Sequence, residues 1–411
     1  MTYGLIGERL GHSFSRIIHE YLTGMPYELR ELRPDELGPF LRSEPFKGIN
    51  VTIPYKQAVI PYLDSLAPSA QLTGAVNVII RTPEGLVGHN TDYDGFLSMA
   101  EQAGVELQGA SVVILGAGGA AKAVEAAVRS AGAASVVNAV RHDFGPGRLP
   151  ISDPSLFSGC DVLVNATPVG MSPDIYGKPL DISLLPKLRG VLDCIYNPIH
   201  TQIVLDALER GIPCAGGLMM VVSQAVRAAE LFHDCSFGPG TVERVYRYMA
   251  RSRRNIVLTG MPSCGKTSVG KALAGRLGLE FSDVDTLVAD AAGMGIPTVF
   301  ATEGEEGFRR RESAAIESLA PRQGLVIATG GGAVLSRANV RALKLNGIVV
   351  FLDCPLELLE PSADRPLSAD REALARLYEE RHSIYCSTAD AIIPAAGSSD
   401  EVAAAIEKTL L

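Results

Sequence analysis

The chain has 411 residues, 47% of them hydrophobic, which is enough apolar side chain for two or three packed domains. A formal net charge of −9 argues against a protein that binds nucleic acid or an anionic membrane through its overall charge. Apolar runs are broken by glycine or charge before they reach membrane-spanning length, and residues 1–5 lack the pattern of a signal peptide.

Short apolar runs in the first hundred residues predict strands at residues 3–6, 27–31, 48–51 and 76–80. Lys56 follows the third of these strands, and Asp92 comes after the fourth. A lysine held by a carboxylate can act as a proton donor in general acid catalysis. The plainer interpretation is a solvated lysine and a helix-capping aspartate.

Four further buried strands are predicted at residues 111–115, 135–138, 161–165 and 191–195, as parts of a parallel sheet. The pattern Gly116-x-Gly118-x-x-Ala121 follows the first of them and opens a helix at 120–130, which is typical of a dinucleotide site. The predicted cofactor-binding residues of this half are Gly116, Ala117, Gly118, Gly119, Ala120, Asn138 and Arg141.

Asn138 ends the second of these strands, where an acidic residue would bind an unmodified ribose. Arg141 and His142 come soon after it and would suit a 2′-phosphate. The sequence therefore favours NADPH over NADH.

Residues 218–249 are predicted to form one or two helices, and the main domain boundary is predicted near Ala250. A strand at 255–259 then leads into Gly260-x-x-x-x-Gly265-Lys266-Thr267 and a helix at 268–277, which is the pattern of a phosphate-binding loop. In such a loop Lys266 reaches phosphate oxygens and the Thr267 hydroxyl ligates Mg²⁺. The residues predicted to bind ATP are Ser263, Cys264, Gly265, Lys266, Thr267 and Ser268.

Residues 3–248 contain the motifs GHSFS at 11–15, GINVTIPYK at 48–56, GAVN at 74–77, GHNTD at 88–92, NATPVGM at 165–171, DCIYNP at 193–198 and GGLM at 216–219. These motifs carry a resemblance to shikimate dehydrogenase. It implies an α/β substrate-binding domain at 1–105, completed by the helices at 218–249, and a Rossmann NADP-binding domain at 106–217. It also implies NADPH-dependent reduction of 3-dehydroshikimate.

The resemblance assigns roles to the polar residues of this half. Lys56 becomes the acid/base residue with Asp92 as its partner, and Ser13 and Ser15 would bind the substrate carboxylate. The other residues implied in the substrate pocket are Thr52, Asn77, Tyr196 and Gln224, and Gly217 is implied to bind the cofactor. The chain departs from the family at Ala139, where an arginine commonly follows the asparagine, so that one clamp on the 2′-phosphate is missing or moved to Arg141.

Residues from 255 onward contain FSDVD at 281–285, the Phe308–Glu312 segment, GGG at 330–332, DRPL at 364–367 and Arg381. The domain is placed at 255–411, where these residues carry a resemblance to shikimate kinase. It implies a P-loop kinase domain with a parallel sheet. The segment LLEP at 358–361 stands where many members have an arginine that packs on adenine.

The kinase resemblance also assigns roles. Asp285 would orient the attacking hydroxyl, Asp283 would hold Mg²⁺ with Thr267, and Arg365 on a lid would stabilise the transferred phosphoryl group. The residues implied to bind shikimate are Arg309, Gly331, Gly332 and Arg381, with Glu312 steadying Arg309. A plain ion pair along a helix is the simpler interpretation of Arg309 and Glu312.

The two resemblances name consecutive reactions on small-molecule substrates. We therefore expect a bifunctional enzyme that uses NADP(H), ATP and Mg²⁺ to make shikimate and then shikimate 3-phosphate. Two alternatives stay open: an NAD-linked quinate/shikimate dehydrogenase fused to the kinase, or one half acting only as a ligand-binding regulatory module. The seven cysteines include no Cys-x-x-Cys pair, so we expect free thiols in a cytoplasmic protein.

Overall fold

The computed structural model describes residues 1–11, 13–361 and 370–410. The chain divides into two compact units, Met1–Met249 and Ala250–Leu411. Among the described residues no single helix has the length and apolar character needed to cross a membrane; one helix pair bent by 91° meets that test only when its two members are taken together.

The first sheet of the first unit is mixed. Its strands are β1 (Tyr3–Gly7), β2 (Glu28–Glu31), β3 (Gly48–Val51), β4 (Ser65–Leu66), β5 (Val78–Thr82) and β6 (Gly85–His89). They lie in the order β2-β1-β3-β5-β6-β4, and β5 runs antiparallel to both of its neighbours. Since β3 and β6 therefore point the same way, the chain segments that follow them meet at one edge of the sheet.

The second sheet of the first unit is parallel throughout. Its strands are β7 (Ser111–Leu115), β8 (Ser135–Val140), β9 (Arg148–Pro150), β10 (Val162–Asn165), β11 (Gly190–Asp193) and β12 (Cys214–Ala215). They lie in the order β12-β11-β10-β7-β8-β9. The chain leaves β7 toward β8 and later returns to β10 on its other side, so the carboxyl end of β7 is a switch point, where open α/β sheets bind ligands.

The helices of the first unit cover both sheets. They are α1 (Ser15–Thr23), α2 (Leu37–Ser43), α3 (Tyr55–Ala58), α4 (Pro68–Thr73), α5 (Asp92–Gln102), α6 (Gly119–Ser130), α7 (Gln202–Glu209) and α8 (Leu218–His233), together with α9 (Thr241–Arg253), whose residues 250–253 belong to the second unit. On one face of the parallel sheet Val112 and Ile114 pack against Val124 of α6, and on the other Val113 and Leu115 face α7. Burial on both faces explains the continuous apolar sequence of β7.

The second unit holds one parallel sheet. Its strands are β13 (Asn255–Thr259), β14 (Glu280–Asp283), β15 (Leu325–Ala328), β16 (Gly347–Asp353) and β17 (Ala391–Pro394), in the order β14-β15-β13-β16-β17. The strand β13 lies between β15 and β16, and the phosphate-binding loop leaves its carboxyl end. This is again a switch point of the sheet.

The helices of the second unit are α10 (Lys266–Leu277), α11 (Val284–Ala292), α12 (Ile296–Leu319), α13 (Arg337–Lys344), α14 (Arg371–Thr388) and α15 (Ser399–Leu410). Helix α12 is interrupted at Gly304, whose φ of 70° and ψ of −177° break the helical path. Leu273 of α10, Tyr385 of α14 and Ile406 of α15 pack in one core with Phe351 of β16.

The predicted α/β class is confirmed, and β3, β7 and β13 have the predicted bounds. Strand β8 differs, because it continues two residues past Asn138 to Val140. The short strand β9 then pairs with this extension. The predicted helical region at 218–249 forms two helices, α8 and α9.

Candidate active sites

The first site is built around an ion pair between Lys56 and Asp92. Lys56 lies in α3, after β3, and Asp92 is the first residue of α5, after β6. Lys56 Nζ donates to Asp92 Oδ2 at 2.6 Å, and the two side chains are 16% and 8% exposed. The pair is mostly enclosed but open on the lysine side, so the ammonium can reach a bound molecule.

An amide network fixes the carboxylate of this pair. Asn77 Nδ2 donates to Asp92 Oδ1 at 2.9 Å and to Thr91 Oγ1 at 3.1 Å, and the backbone N–H of Thr91 donates to Asn77 Oδ1. Gln224 of α8 approaches the same amide, with its Oε1 3.5 Å from Asn77 Nδ2. The structure thus brings Lys56, Asp92, Asn77 and Gln224 together; Thr91, within the quoted GHNTD motif, was not predicted to take part.

The glycine loop at residues 116–120 lies directly beside Lys56. A Cβ added to Gly119 would sit 3.4 Å from Lys56 Cβ and Cδ, which is ordinary van der Waals contact. Gly116 has a φ of 103°, a left-handed value that favours glycine. Its carbonyl accepts from Asn138 Nδ2 at 2.9 Å. A dinucleotide on the N-terminus of α6 would therefore meet the lysine of the ion pair.

Ser13 and Ser15 lie at the start of α1, and the backbone N–H of Ser15 donates to Ser13 Oγ at 3.2 Å. Phe14, between them, packs its ring 4.9 Å from the ring of Tyr196. Tyr196 is half-buried, and burial raises the pKa of its phenol. The segment that carries the two serines therefore contacts Tyr196 through the ring of Phe14.

Three other predicted residues have different surroundings. Thr52 is half-buried directly after β3. Gly217 precedes α8, and a Cβ there would overlap the Cys194 carbonyl oxygen, so only glycine fits. Arg141 is exposed in the loop after β8.

A buried carboxylate that the sequence analysis did not select supports the loop that carries Tyr196. Asp193, at the end of β11, accepts from Asn165 Nδ2 through both oxygens at 3.1 Å. It also accepts from the Ile195 N–H at 2.9 Å and from Thr201 Oγ1 at 2.6 Å. Burial raises its pKa to about 6, against the hydrogen bonds that lower it.

Asp193→Asn is expected to change how the stability of the first unit depends on pH. A carboxyl with a raised pKa contributes stability that is complete below its unfolded pKa of 3.8 and is lost as pH rises through about 6. The unfolding free energy of wild type relative to the variant should therefore fall by about 2 kcal/mol between pH 4 and pH 6. Urea titrations followed by hydrogen exchange of peptides from β10 and β11 measure the unfolding free energies of both proteins at each pH. A difference between wild type and variant that does not change with pH would contradict the prediction.

The second site lies in the phosphate-binding loop. Ser263, Gly260 and Gly265 have φ values of 66°, 145° and 86°, and these left-handed residues curl the loop around the N-terminus of α10. Lys266 is 8% exposed, and its Nζ donates to the carbonyls of Gly260 at 2.9 Å and Met261 at 2.8 Å. The loop and the lysine thus form a cradle for phosphate oxygens.

Two acidic residues from the start of α11 face this loop. Asp283 Oδ2 accepts from Thr267 Oγ1 at 2.7 Å, and its Oδ1 caps the helix by accepting from the N–H of Asp285 at 3.0 Å. A cavity of about 180 Å³ lies between loop and carboxylates. It is lined by Ser263, Gly265, Lys266, Thr267, Ser268, Asp283, Asp285, Thr329 and Gly331, of which Thr329 alone was not selected from the sequence.

Arg309 lies beside the glycine segment that follows β15. Its Nη1 donates to Glu312 Oε2 at 2.8 Å and its Nη2 to Glu305 Oε1 at 3.1 Å. Glu312 is fully buried, and this burial raises its pKa although Arg309 opposes the shift. The guanidinium fills the space beside Gly332, where an added Cβ would overlap it. The pair is therefore a helix i,i+3 ion pair that also holds Arg309 against the glycines.

Arg381 approaches the same region from α14 and is 6% exposed. Burial raises the pKa of both Glu312 and Tyr385, and the positive charge of Arg381 opposes the shift in each. The Tyr385 hydroxyl in turn donates to the Gly331 carbonyl. Two arginines thus converge near Gly331. Arg365, predicted to act from a lid, lies outside the described residues.

Comparison with known proteins separates the two halves in the same way. Residues 5–79 match the shikimate dehydrogenase substrate binding domain, and residues 262–411 match shikimate kinase. A shikimate dehydrogenase (NADP(+)) of Clostridium perfringens is 33% identical over 262 residues, covering 59% of this chain and 96% of that protein.

Solved structures give the same picture for the first unit. Shikimate dehydrogenase 1 from Peptoclostridium difficile matches with a TM-score of 0.56 and 31% identity, over 61% of this chain and 98% of that one. Quinate dehydrogenase from Corynebacterium glutamicum, in complex with NAD, matches with a TM-score of 0.52 and 30% identity, over 60% of this chain and 97% of that one.

Proposed function

Because the chain belongs to the shikimate dehydrogenase family and carries a shikimate kinase domain in its second unit, we propose that it catalyses two consecutive reactions of the shikimate pathway. The first unit reduces 3-dehydroshikimate to shikimate with NADPH, and the second transfers a phosphoryl group from ATP to the 3-hydroxyl of shikimate. The observation that carries the proposal is that one chain holds both a lysine–aspartate pair beside a dinucleotide loop and a P-loop cavity beside two arginines.

In the first reaction NADPH supplies the hydride, and the protein supplies the proton. Lys56 Nζ donates a proton to the ketone oxygen as that oxygen gains negative charge. Asp92, 2.6 Å away and held by Asn77, keeps the ammonium charged and directed at the substrate. The closeness of Gly119 to Lys56 supports this, because it places the cofactor loop next to the proton donor.

We propose that Ser13 and Ser15 bind the substrate carboxylate and that Thr52, Tyr196 and Gln224 complete the pocket. The ring contact between Phe14 and Tyr196 supports one continuous wall. We propose that Gly217 contributes to cofactor binding; glycine is required there because a Cβ would overlap the Cys194 carbonyl oxygen.

In the second reaction the protein positions two reactants and balances charge. Arg309 and Arg381 bind the shikimate carboxylate, and Asp285 accepts a hydrogen bond from the 3-hydroxyl and orients it toward the phosphoryl group. Lys266 exchanges its contacts with loop carbonyls for phosphate oxygens of ATP. Arg365 is proposed to stabilise the transferred group.

Thr267 and Asp283 are proposed to hold Mg²⁺. A hydroxyl and a carboxylate are the oxygen ligands that Mg²⁺ prefers, and these two lie 2.7 Å apart at the mouth of the phosphate cradle. The ion would neutralise charge on the transferring phosphoryl group.

The proposed division of labour places substrate binding in residues 1–105 with the helices at 218–249, NADP binding in 106–217 and the kinase in 255–411. The mixed sheet of the first unit then belongs to the substrate-binding part, and its parallel sheet belongs to the NADP-binding part. All seven cysteines are free thiols, which supports a location in the reducing environment of the cytoplasm. We propose small molecules as the ligands of both sites.

Gly332→Ala is expected to raise the KM for shikimate about 10- to 100-fold, because the new methyl group must displace the Arg309 guanidinium. The φ of Gly332 is −102°, which any residue adopts, so the substitution acts through the methyl group and not through backbone strain. Steady-state phosphorylation with varied shikimate at saturating ATP measures the change.

Gly275→Ala in α10 is the matched control, because a Cβ there meets no heavy atom within 4 Å. It should leave both KM values within about twofold. An unchanged KM for shikimate in the Gly332 variant would remove Arg309 from the substrate site.

The proposed function itself is tested by two assays on one preparation. NADPH oxidation on addition of 3-dehydroshikimate reports the first unit, and ADP formation on addition of shikimate reports the second. Loss of ADP formation in EDTA and its return with Mg²⁺ would support the metal site. Absence of either activity contradicts the proposal for that unit.

A further inference from the structure

Position 139, directly after the asparagine of the dinucleotide site, lies inside strand β8. Ala139 is 1% exposed and packs with Val113 and Leu115. Side chains alternate along a strand, so Ala139 faces the core opposite to the face of Asn138. Alanine has no group that can bind a phosphate, so a contact of this region to the cofactor must come from another residue.

Strand β9 places Arg148 beside Asn138 at the end of β8. The parallel pairing of β8 with β9 sets Asn138 opposite Arg148 and Ala139 opposite Leu149. Paired residues of a parallel ladder project to the same face of the sheet, and Leu149 accordingly packs on the core of Ala139. Arg148 therefore lies on the face of Asn138, whose side chain contacts the glycine loop.

The turn at 141–147 fixes Arg148 but leaves its charge available. The backbone N–H of Asn138 donates to the Gly147 carbonyl at 2.9 Å, which ties the turn to the end of the dinucleotide strand. Arg148 is exposed, and its Nη1 donates to the Asp143 carbonyl at 3.1 Å. Within the described parts of the chain no carboxylate lies at ion-pair distance from Arg148.

The charges of this segment favour an anion. Residues 141–148 contain Arg141, His142 and Arg148 against a single acidic residue, Asp143. Position 138 carries an amide and no carboxylate, and its Nδ2 is engaged by Gly116. Position 138 therefore places no negative charge against a phosphate on the adenosine ribose, and the two arginines of the segment outnumber its one carboxylate.

We propose that Arg148 determines the cofactor specificity of the first unit by binding the 2′-phosphate of NADP(H) through its guanidinium. This inference rests on the proposed dehydrogenase function. The planar guanidinium can donate two parallel hydrogen bonds to a phosphate dianion, an interaction that NADH, with a free 2′-hydroxyl, does not offer. Arg141, on the turn and not in the paired strand, is the weaker contributor.

Arg148→Ala tests the assignment by steady-state reduction with each cofactor. The KM for NADPH should rise about 10- to 100-fold, while kcat and the KM for NADH change less than about twofold. Inhibition of the reduction by 2′,5′-ADP should weaken by a similar factor, and inhibition by 5′-AMP should not. A purely structural role would instead alter the kinetics of both cofactors.

Arg129→Ala is the control for loss of surface charge, since Arg129 is exposed on α6 and paired with Glu125. Arg141→Ala should raise the KM for NADPH less than Arg148→Ala does. The inference is overturned if the Arg148 variant keeps the wild-type KM for NADPH, or if Arg141→Ala carries the whole effect. Wild-type protein that reduces the substrate only with NADH would refute the proposed cofactor as well, whereas no reduction with either cofactor would refute the proposed dehydrogenase.

Discussion

Lys56→Ala is expected to slow the turnover of the ketone substrate by about 10²- to 10⁴-fold, the range contributed by a positioned proton donor. The variant removes the ammonium that lies 2.6 Å from Asp92, so the oxygen of the ketone gains charge with no acid beside it. The effect should fall on kcat more than on the KM for the substrate. NADPH oxidation at saturating concentrations of both reactants measures it.

Phosphorylation of added shikimate by the same variant should keep its wild-type rate, because Lys56 belongs to the first unit. Lys187→Ala, at an exposed lysine of that unit, is the matched control and should leave reduction unchanged. A Lys56 variant that retains reduction within about tenfold of wild type would rule out this residue as the acid.

Lys266→Ala is expected to slow the phosphorylation of shikimate by about 10²- to 10³-fold or more, as loss of a preorganised charge does. Lys266 is a buried cation of the loop, and its ammonium donates to two loop carbonyls, which phosphate oxygens of ATP replace in the proposed function. ADP formation with shikimate and ATP·Mg²⁺ measures the effect. Lys266→Met, which keeps the bulk of the side chain, should lose activity to a similar extent.

Reduction of 3-dehydroshikimate should be untouched in both Lys266 variants. Lys271→Ala on the same helix is exposed and should keep full phosphorylation. Loss of both activities in a Lys266 variant would contradict two independent enzymes. That outcome would favour the alternative in which one unit regulates the other.

The sequence predicted the parts of the fold in which local pattern and tertiary packing agree. Strands β7 and β13 are buried on both faces, and each is followed directly by a glycine of a predicted nucleotide loop. The apolar run and the glycine together made the first and last residue of each strand predictable. The P-loop residues could be selected as a group because adjacent positions of one loop line one cavity.

Contacts between residues far apart in the chain could not be predicted from pattern. Asp193 receives hydrogen bonds from Asn165 and Thr201, 28 and 8 residues away, and no local spacing indicates that cluster. Strand β9 has three residues within a Gly/Pro-rich segment, too few to show alternation. Without the pairing of β9 with β8, Arg148 is indistinguishable from any other exposed arginine.

The most direct test of the bifunctional assignment is a single reaction containing the wild-type chain, 3-dehydroshikimate, NADPH and ATP·Mg²⁺, with products identified by mass spectrometry. We expect shikimate 3-phosphate from the wild-type chain, shikimate accumulating in the Lys266 variant and mostly unreduced 3-dehydroshikimate in the Lys56 variant after the same reaction time. Recovery of unreduced 3-dehydroshikimate from the wild-type reaction, or of shikimate without its phosphate, would contradict the assignment.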